Sequence, residues 1–493
     1  MTSSGTTSPA GAPKGRAGRG DAAAPLPSAT PWELLLPAAG APARQRGRAL
    51  QSALRDAVRS GRLAAGTRLP SSRELAVDLG VSRGLVTEAY EQLTAEGYLR
   101  SERGAGTWVG DAARAGAGTA RDLAPRGAGP GARVDFRPGT PDLSLFPRAA
   151  WAAAQRSVLA RLPHRALGYP DPRGLPELRT ALAALLTRRR GVVADPERLV
   201  VCSGVAQAMT LLAFVLAGRG QSVLGVEDPG SPGHGPLFRA AGLDMVPLPL
   251  DGEGLAMGPL RRSGVRTVST SPAHQFPTGI AYSARRRGEL LEWARSVDGL
   301  VVEDDYDGEF RYDRAPVGAL QGLDPERVAY TGSVSKSLAP GLRLGWLLVP
   351  GGLMEEVVER KRTLDMGNPA LDQALLADFI GGGGYDRHLR RCQRAYRERR
   401  DTLVGALAAE FPGARVSGIA AGLHVIVGLP ERYGPQERFA AGAARAGVTV
   451  GWLSAHALVP VREPGVRLVL GYAHLAPSDI VRGVGLLARE TAR

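Results

Sequence analysis

Apolar and polar positions alternate with two different periods along this chain, and the change of period marks its organisation. Between residues 71 and 95 the period is helical. Leu75, Ala76 and Leu79 share one face of a predicted helix over 71–79, and Val86, Ala89, Tyr90 and Leu93 share one face of a second over 83–95. Ser71 can cap the first helix, with Glu74 at the capping-box spacing, and Ser82 can cap the second. Gly80-Val81 breaks the two apart, the arrangement of a helix-turn-helix. Residues 97–109, Gly-Tyr-Leu-Arg-Ser-Glu-Arg-Gly-Ala-Gly-Thr-Trp-Val, read as two short strands around a Gly-rich tip. From about residue 134 to 493 short apolar strands alternate with amphipathic helices, the pattern of an α/β domain with a mainly parallel sheet.

Composition separates these regions. Residues 1–30 are Gly, Ala, Pro, Ser and Thr with little apolar content, so they are expected to be disordered. Residues 31–110 form the first folded segment. Residues 111–133 are a Gly/Ala/Pro linker which, as a flexible coil, would span roughly 25 Å. The chain of 493 residues carries a net charge of +14, which permits nucleic-acid binding without proving it. Over 31–110 eleven arginines face eight acids, a mild excess of three. Cys202 and Cys392 give no disulfide framework. With no signal pattern and no apolar run long enough for a bilayer, the expected location is the cytoplasm, away from membranes.

Lysine usage points to chemistry. Of 62 basic residues only Lys14, Lys336 and Lys361 are lysines. Lys336 sits in Thr331-Gly-Ser-Val-Ser-Lys-Ser-Leu-Ala-Pro-Gly-Leu-Arg-Leu-Gly345, among small and hydroxyl residues. A guanidinium cannot form a Schiff base, so a chain that otherwise avoids lysine has a reason to keep a primary amine there. Ser333, Ser335 and Arg343 offer donors for a phosphate. Upstream, Leu199–Met209 runs strand, small-residue turn, helix; Gly204 lets an anion approach the free amides at the helix start. Taken alone, that turn reads equally well as a plain strand–helix connection. Gly299–Asp307 is an apolar strand ending in acids, Asp304 among them, where ligands of open α/β sheets bind. A carboxylate there suits pairing with a pyridine nitrogen, and the Tyr306 phenol could reach a neighbouring hydroxyl oxygen. The acids have no companion histidines or oxygens at ligand spacing, which disfavours a metal.

Two resemblances follow. Gly61–Ala76, Leu79-Gly-Val-Ser-Arg83, Ala89-Tyr-Glu-Gln-Leu93 and Glu96-Gly-Tyr-Leu99 resemble the winged helix-turn-helix domain of the GntR regulators. That implies DNA contacts from Arg73, Ser82 and Arg83, with wing residues Arg103, Gly104 and Gly106 along the backbone. Gly84 and Leu85 stand where the family often has hydroxyl side chains. The acid, the Ser-x-Ser-Lys and the Gly-x-Arg resemble fold-type I pyridoxal-phosphate enzymes over nearly all of 134–493, which implies a large α/β domain with helices on both faces of its sheet and a smaller C-terminal α+β domain. This implies Lys336 as the Schiff-base lysine, Asp304 at the pyridine nitrogen and Tyr306 at the 3-hydroxyl. It further implies Gly204, Val205, Ala206, Ser333, Ser335 and Arg343 at the phosphate, Tyr169 reaching a partner subunit's phosphate, and Arg467 on a substrate carboxylate. His274-Gln-Phe-Pro-Thr-Gly279 replaces the family's Asn-Pro-x-Gly loop, and Ser231 stands where an aromatic often stacks on the ring, a place His234 could take instead. Together with Glu303–Tyr312 and Pro31–Leu36, the two halves resemble the MocR subfamily of regulators. That implies a head-to-tail homodimer bound to operator DNA and answering an amine, an amino acid or pyridoxal phosphate itself. A working aminotransferase with an added DNA reader, and a repressor without cofactor, remain open on the residues.

Overall fold

Period-2 and period-3.6 segments pack their apolar faces into several separate cores. The structure is a computed structural model and describes residues 40–102, 105–110, 133–312, 317–418, 420–460 and 465–491. The expected tail 1–30, nearly all of the linker 111–133 and the Pro31–Leu36 motif lie outside the described residues. The chain divides into two compact units, Met1–Arg126 and Gly127–Arg493.

In the first unit, helices α1 (Arg46–Arg59), α2 (Ser72–Leu79) and α3 (Arg83–Ala95) accompany strands β1 (Arg68–Leu69), β2 (Leu99–Glu102) and β3 (Gly106–Val109). The two serine caps form as the sequence predicts. The Ser71 hydroxyl accepts from the Glu74 amide while the Glu74 carboxylate accepts from the Ser71 amide, and the Ser82 hydroxyl accepts from the Leu85 amide. Gly80 ends α2 in the left-handed region, φ 62°. Leu54, Leu75, Val86, Leu93 and Leu99 close one small core. The strands pair antiparallel in the order β1-β3-β2. Strand β1, two residues long, shows no periodicity by itself and is created by pairing with β3.

In the second unit, β4 (Val134–Asp135), α4 (Arg148–Arg161) and α5 (Pro176–Arg190) precede β5 (Leu199–Cys202) and α6 (Val205–Gly218). Then come β6 (Val223–Asp228), α7 (Gly235–Ala240), β7 (Asp244–Asp251), β8 (Gly254–Leu255), α8 (Met257–Arg262), β9 (Thr267–Thr270), α9 (Ala284–Ser296), β10 (Leu300–Asp304), β11 (Val328–Ser333), β12 (Gly345–Leu348) and α10 (Met354–Asp365). The large sheet runs β5-β12-β11-β10-β9-β6-β7-β8. Its middle, from β11 to β7, is parallel, while β12 is antiparallel to both neighbours. Strands β5, β9, β10, β11 and β12 are buried along their whole length, as a sheet covered on both faces requires. Successive side chains feed different cores: Val201, Trp346 and Leu348 pack in one, Val200 and Leu347 in another.

The C-terminal part carries α11 (Ala370–Gly381), α12 (Gly384–Glu410), α13 (Gln436–Ala446) and α14 (Pro477–Thr491) around an antiparallel sheet. Its strands are β13 (Arg415–Ser417), β14 (His424–Leu429), β15 (Val448–Thr449), β16 (Gly451–Trp452) and β17 (Val466–Gly471), of which β13-β14-β17-β16 form the sheet. The α/β class with a smaller C-terminal α+β part is what the sequence predicts. The antiparallel β12 was not legible in it. Among the described residues no helix is long and apolar enough to cross a membrane.

Candidate functional site

The register of the large sheet gathers the candidate residues at one edge. Gly345, the first residue of β12, is paired with both Ser333 at the end of β11 and Cys202 at the end of β5. The Ser203-Gly204 turn, the Ser333–Lys336 turn and Arg343 therefore meet, with Asp304 at the end of β10 beside them. Close approach explains the glycines: a Cβ on Gly204, where φ is 85°, would lie 2.9 Å from Arg343 Nη2, and one on Gly345 would lie 2.8 Å from Gly204 Cα. Gly204 caps α6, whose first-turn amides lack intrahelical acceptors. The Arg343 guanidinium donates to the Ser203 carbonyl from a left-handed backbone, φ 50°.

Val205, Ala206, Ser333, Ser335, Lys336, Arg343, Asp304 and Tyr306 line one cavity of about 260 Å³. Lys336 Nζ donates to the Gly139 carbonyl at 2.5 Å. Burial holds the Lys336 ammonium below the ordinary lysine value, against the pull of Asp307 and Asp304. That leaves more of the neutral amine needed for attack on an aldehyde.

The four acids after β10's apolar run divide by partner. Glu303 accepts from the Leu320 and Gln321 amides at 2.8 and 2.9 Å. Asp305 pairs with Arg190 at 2.6 Å and accepts from Tyr330 Oη at 2.6 Å. Asp307 meets His274 Nδ1 at 3.0 Å, and the same nitrogen lies 2.9 Å from Tyr306 Oη. Asp304 is the one that lines the cavity, with His234 Nε2 at 3.6 Å. Burial raises its carboxyl above the usual range and His234 opposes that. Thr331 Oγ1 donates to it at 3.4 Å, and a buried carboxylate in this place stabilises a protonated ring nitrogen set against it. Among the described residues no three His, Cys, Asp or Glu side chains are arranged to hold a metal.

The sequence flagged Lys361 as scarce but assigned it no role. It is fully buried on α10, and Nζ donates to Asp365 Oδ2 (2.6 Å), Asn368 Oδ1 (2.6 Å) and Gln207 Oε1 (3.2 Å). Gln207 Oε1 also accepts from the Ser203 amide at 2.7 Å, and Asn368 Nδ2 donates to Ser203 Oγ at 2.8 Å. This network clamps the residues on both sides of Gly204–Ala206.

Two candidates lie elsewhere. Arg467, on β17, does not line the Lys336 cavity; it lines a separate hollow with Pro229, Ser454 and Gly465. It lies near the start of β17, paired across from Gly428. Tyr169 is 90 % exposed and lines a different hollow with Arg161 and Asp378. Ser231 and His234 both line the cofactor-sized cavity, joined by Phe276 and His424, which sequence reasoning missed. In the first unit Arg73, Ser82 and Arg83 are exposed, and Arg83, Thr87 and Gly106 line one groove. Arg68 Nη2 donates to the Ala105 carbonyl at 2.9 Å and braces the wing. Arg103 and Gly104 lie outside the described residues.

Fold and site define a winged-helix DNA reader joined to a fold-type I unit that takes pyridoxal phosphate. The close-packed Gly204 turn, the buried amine and Asp304 on the cavity wall fit that cofactor. Residues 134–458 match the family described as aminotransferase class I and II, and residues 47–109 match the bacterial regulatory proteins of the gntR family. The chain belongs to the MocR-type regulators that combine these two domains. It is 34% identical to the probable rhizopine catabolism regulatory protein MocR of Rhizobium meliloti, over 89% of this chain and 92% of that one. It is 32% identical to the HTH-type pyridoxine biosynthesis transcriptional regulator PdxR of Corynebacterium glutamicum, over 77% and 82%. Among solved structures, the kynurenine aminotransferase of Pyrococcus horikoshii in complex with PMP aligns with a TM-score of 0.65 at 26% identity, covering 73% of this chain and 90% of that one.

Proposed function

We propose that this protein senses a small amine through pyridoxal phosphate held on Lys336 and converts that event into a changed grip on operator DNA. The observation that carries the reading is the convergence of Lys336, Asp304, Arg343 and the α6 amides on one cavity of about 260 Å³, in a chain that also carries a winged helix. Bound there, the cofactor supplies an electrophilic carbon and an electron-withdrawing ring. The chain's own residues do the rest. Arg343, Ser333 and the α6 amides hold the phosphate, Asp304 keeps the ring nitrogen protonated, and Lys336 provides the exchangeable amine. Tyr306, tied to His274, is placed for the ring's hydroxyl oxygen.

Exposed Tyr169 supports a head-to-tail homodimer in which this phenol reaches the partner subunit's phosphate. For the protein to act as a switch, the effector must bind two dimer states with different affinity. The deciding experiment mixes the cofactor-loaded protein with amines and amino acids, and follows visible absorbance and operator affinity together. An absorbance change that stalls and shifts operator affinity supports the sensor. Complete conversion with turnover and no shift in operator affinity favours a working aminotransferase. A protein that never colours with pyridoxal phosphate defeats both.

The Lys361 clamp gives a separate prediction. Lys361→Met is expected to weaken pyridoxal phosphate binding about tenfold, through the loss of hydrogen bonds that fix the cradle. Binding of pyridoxal, which lacks the phosphate, is expected to stay as it was. Equal losses for both, measured by fluorescence titration, would show a general loosening and no role at the phosphate.

A further inference from the structure

Behind Tyr306 lies a buried pair, His274 and Asp307, neither of which lines the cofactor-sized cavity. They are 5 % and 1 % exposed. His274 Nδ1 stands 3.0 and 3.1 Å from the two Asp307 carboxylate oxygens and 2.9 Å from Tyr306 Oη. The imidazole and the phenol are stacked, ring centres 6.0 Å apart and planes 26° from one another. The wall behind them is shaped to admit the pair. A Cβ on Gly422, where φ is 83°, would lie 2.2 Å from His274 Cε1 and 2.7 Å from Asp307 Oδ2. The Gly422 carbonyl accepts from both Tyr312 Oη and Tyr472 Oη at 2.7 Å, which pins that wall.

These contacts fix where the protons sit. A bare Nδ1 would set its lone pair against two carboxylate oxygens in a buried site, so Nδ1 carries the hydrogen and Asp307 accepts it. Nε2 is then the bare nitrogen, and it is the one buried with no partner among the described residues. The neighbouring imidazole, His424, has its ring centre 5.7 Å from that of His274 and donates from Nε2 to the Pro277 carbonyl at 2.9 Å. Burial lowers His424 to about 4, so near neutral pH it brings no charge to the pair. Burial, and after it the charges of Asp307, Asp304 and Glu227, raises the Tyr306 phenol, which therefore keeps its hydrogen. Two acceptors compete for that hydrogen: the Asp307 carboxylate behind the phenol and an oxygen placed in the cavity before it. Phe276 packs edge-on against the Tyr306 ring at 5.8 Å from the cavity wall and can donate nothing, so the contact falls to the phenol.

We propose that His274 is a positioning residue: its Nδ1–H occupies Asp307, and the Tyr306 hydrogen is thereby kept turned into the cavity, toward the ring hydroxyl oxygen of the bound cofactor. Without the imidazole, Asp307 takes that hydrogen. This rests on pyridoxal phosphate being held on Lys336.

Two measurements on the full-length protein test it. In the apoprotein, nitrogen-15 NMR of the seven histidines, with His274 assigned from the signal lost in His274→Asn, is expected to show Nδ1 protonated and Nε2 bare. A bare Nδ1 would overturn the proposal without any cofactor present. In the loaded protein, the visible band belongs to the form whose ring hydroxyl has lost its proton, so the pH midpoint of that band reports the hydrogen bond to this oxygen. His274→Phe is expected to raise the midpoint by about one to two pH units, the size of one hydrogen bond to an anion. Tyr306→Phe should raise it as far, and the double variant no further. His274→Asn, whose amide can still donate to Asp307, should keep most of the wild-type value. An unmoved midpoint in either phenylalanine variant, an asparagine variant that shifts as far as His274→Phe, or shifts that add in the double variant would each overturn the role. The two levels fail differently. A wild-type protein that never colours defeats the sensor reading, whereas a coloured protein whose midpoint ignores His274 defeats the positioning role alone.

Discussion

Lys336→Ala is expected to abolish the visible absorbance expected of the wild-type protein with pyridoxal phosphate, and to leave no borohydride-trapped adduct in the peptide that carries position 336. The other lysine among the described residues, Lys361, is fully buried and committed to Asp365, Asn368 and Gln207. The cofactor itself should still bind, held by Arg343, Ser333 and the α6 amides, so the phosphate contacts can be measured apart from the covalent one. The fold should survive, because the substitution removes a cation that burial already disfavours. The sign of its pH dependence follows. With the folded value lowered, the unfolded chain binds more protons between that value and the ordinary lysine value, so wild-type stability rises with pH across that window. Lys336→Ala should lose that slope in apoprotein melting curves taken from pH 8 to 11. An unchanged visible spectrum would remove Lys336 from the site.

Arg83→Ala is expected to lower operator affinity by roughly tenfold. Arg83 is the first residue of α3, its side chain is exposed, and it lines a groove with residues of α2, α3 and the wing strands. Nothing in the first unit's core depends on it, so melting of that unit should not change. The slope of log affinity against log salt should become shallower by about 0.9, the share of one phosphate contact. An unaltered slope would mean that Arg83 meets no phosphate. Gly84 and half-buried Leu85 follow it and offer no side-chain donor for base edges. Discrimination between operators therefore has to come from other positions or from DNA shape.

The sequence alone determined what local rules control. Both serine caps, the Gly80 break, the limits of α3 and the paired wing strands depend on residues within a few positions of one another. The scarcity of lysine singled out Lys336, and an apolar strand ending in acids placed a carboxylate at the sheet's edge. What only the tertiary structure decided depends on partners far apart in the chain. Which of the acids after β10 remains for a ligand is settled by Arg190, 115 residues from Asp305, and by the loop amides that take up Glu303. Lys361 acquires its place under the phosphate cradle because α10 packs against α6, and Gln207 lies 154 residues away from it. Which hollow Arg467 lines is fixed by the pairing of β17 with β14, which the motif around it could not reveal. Periodicity reports which face of an element is buried; it carries no information on which distant charge that face will meet.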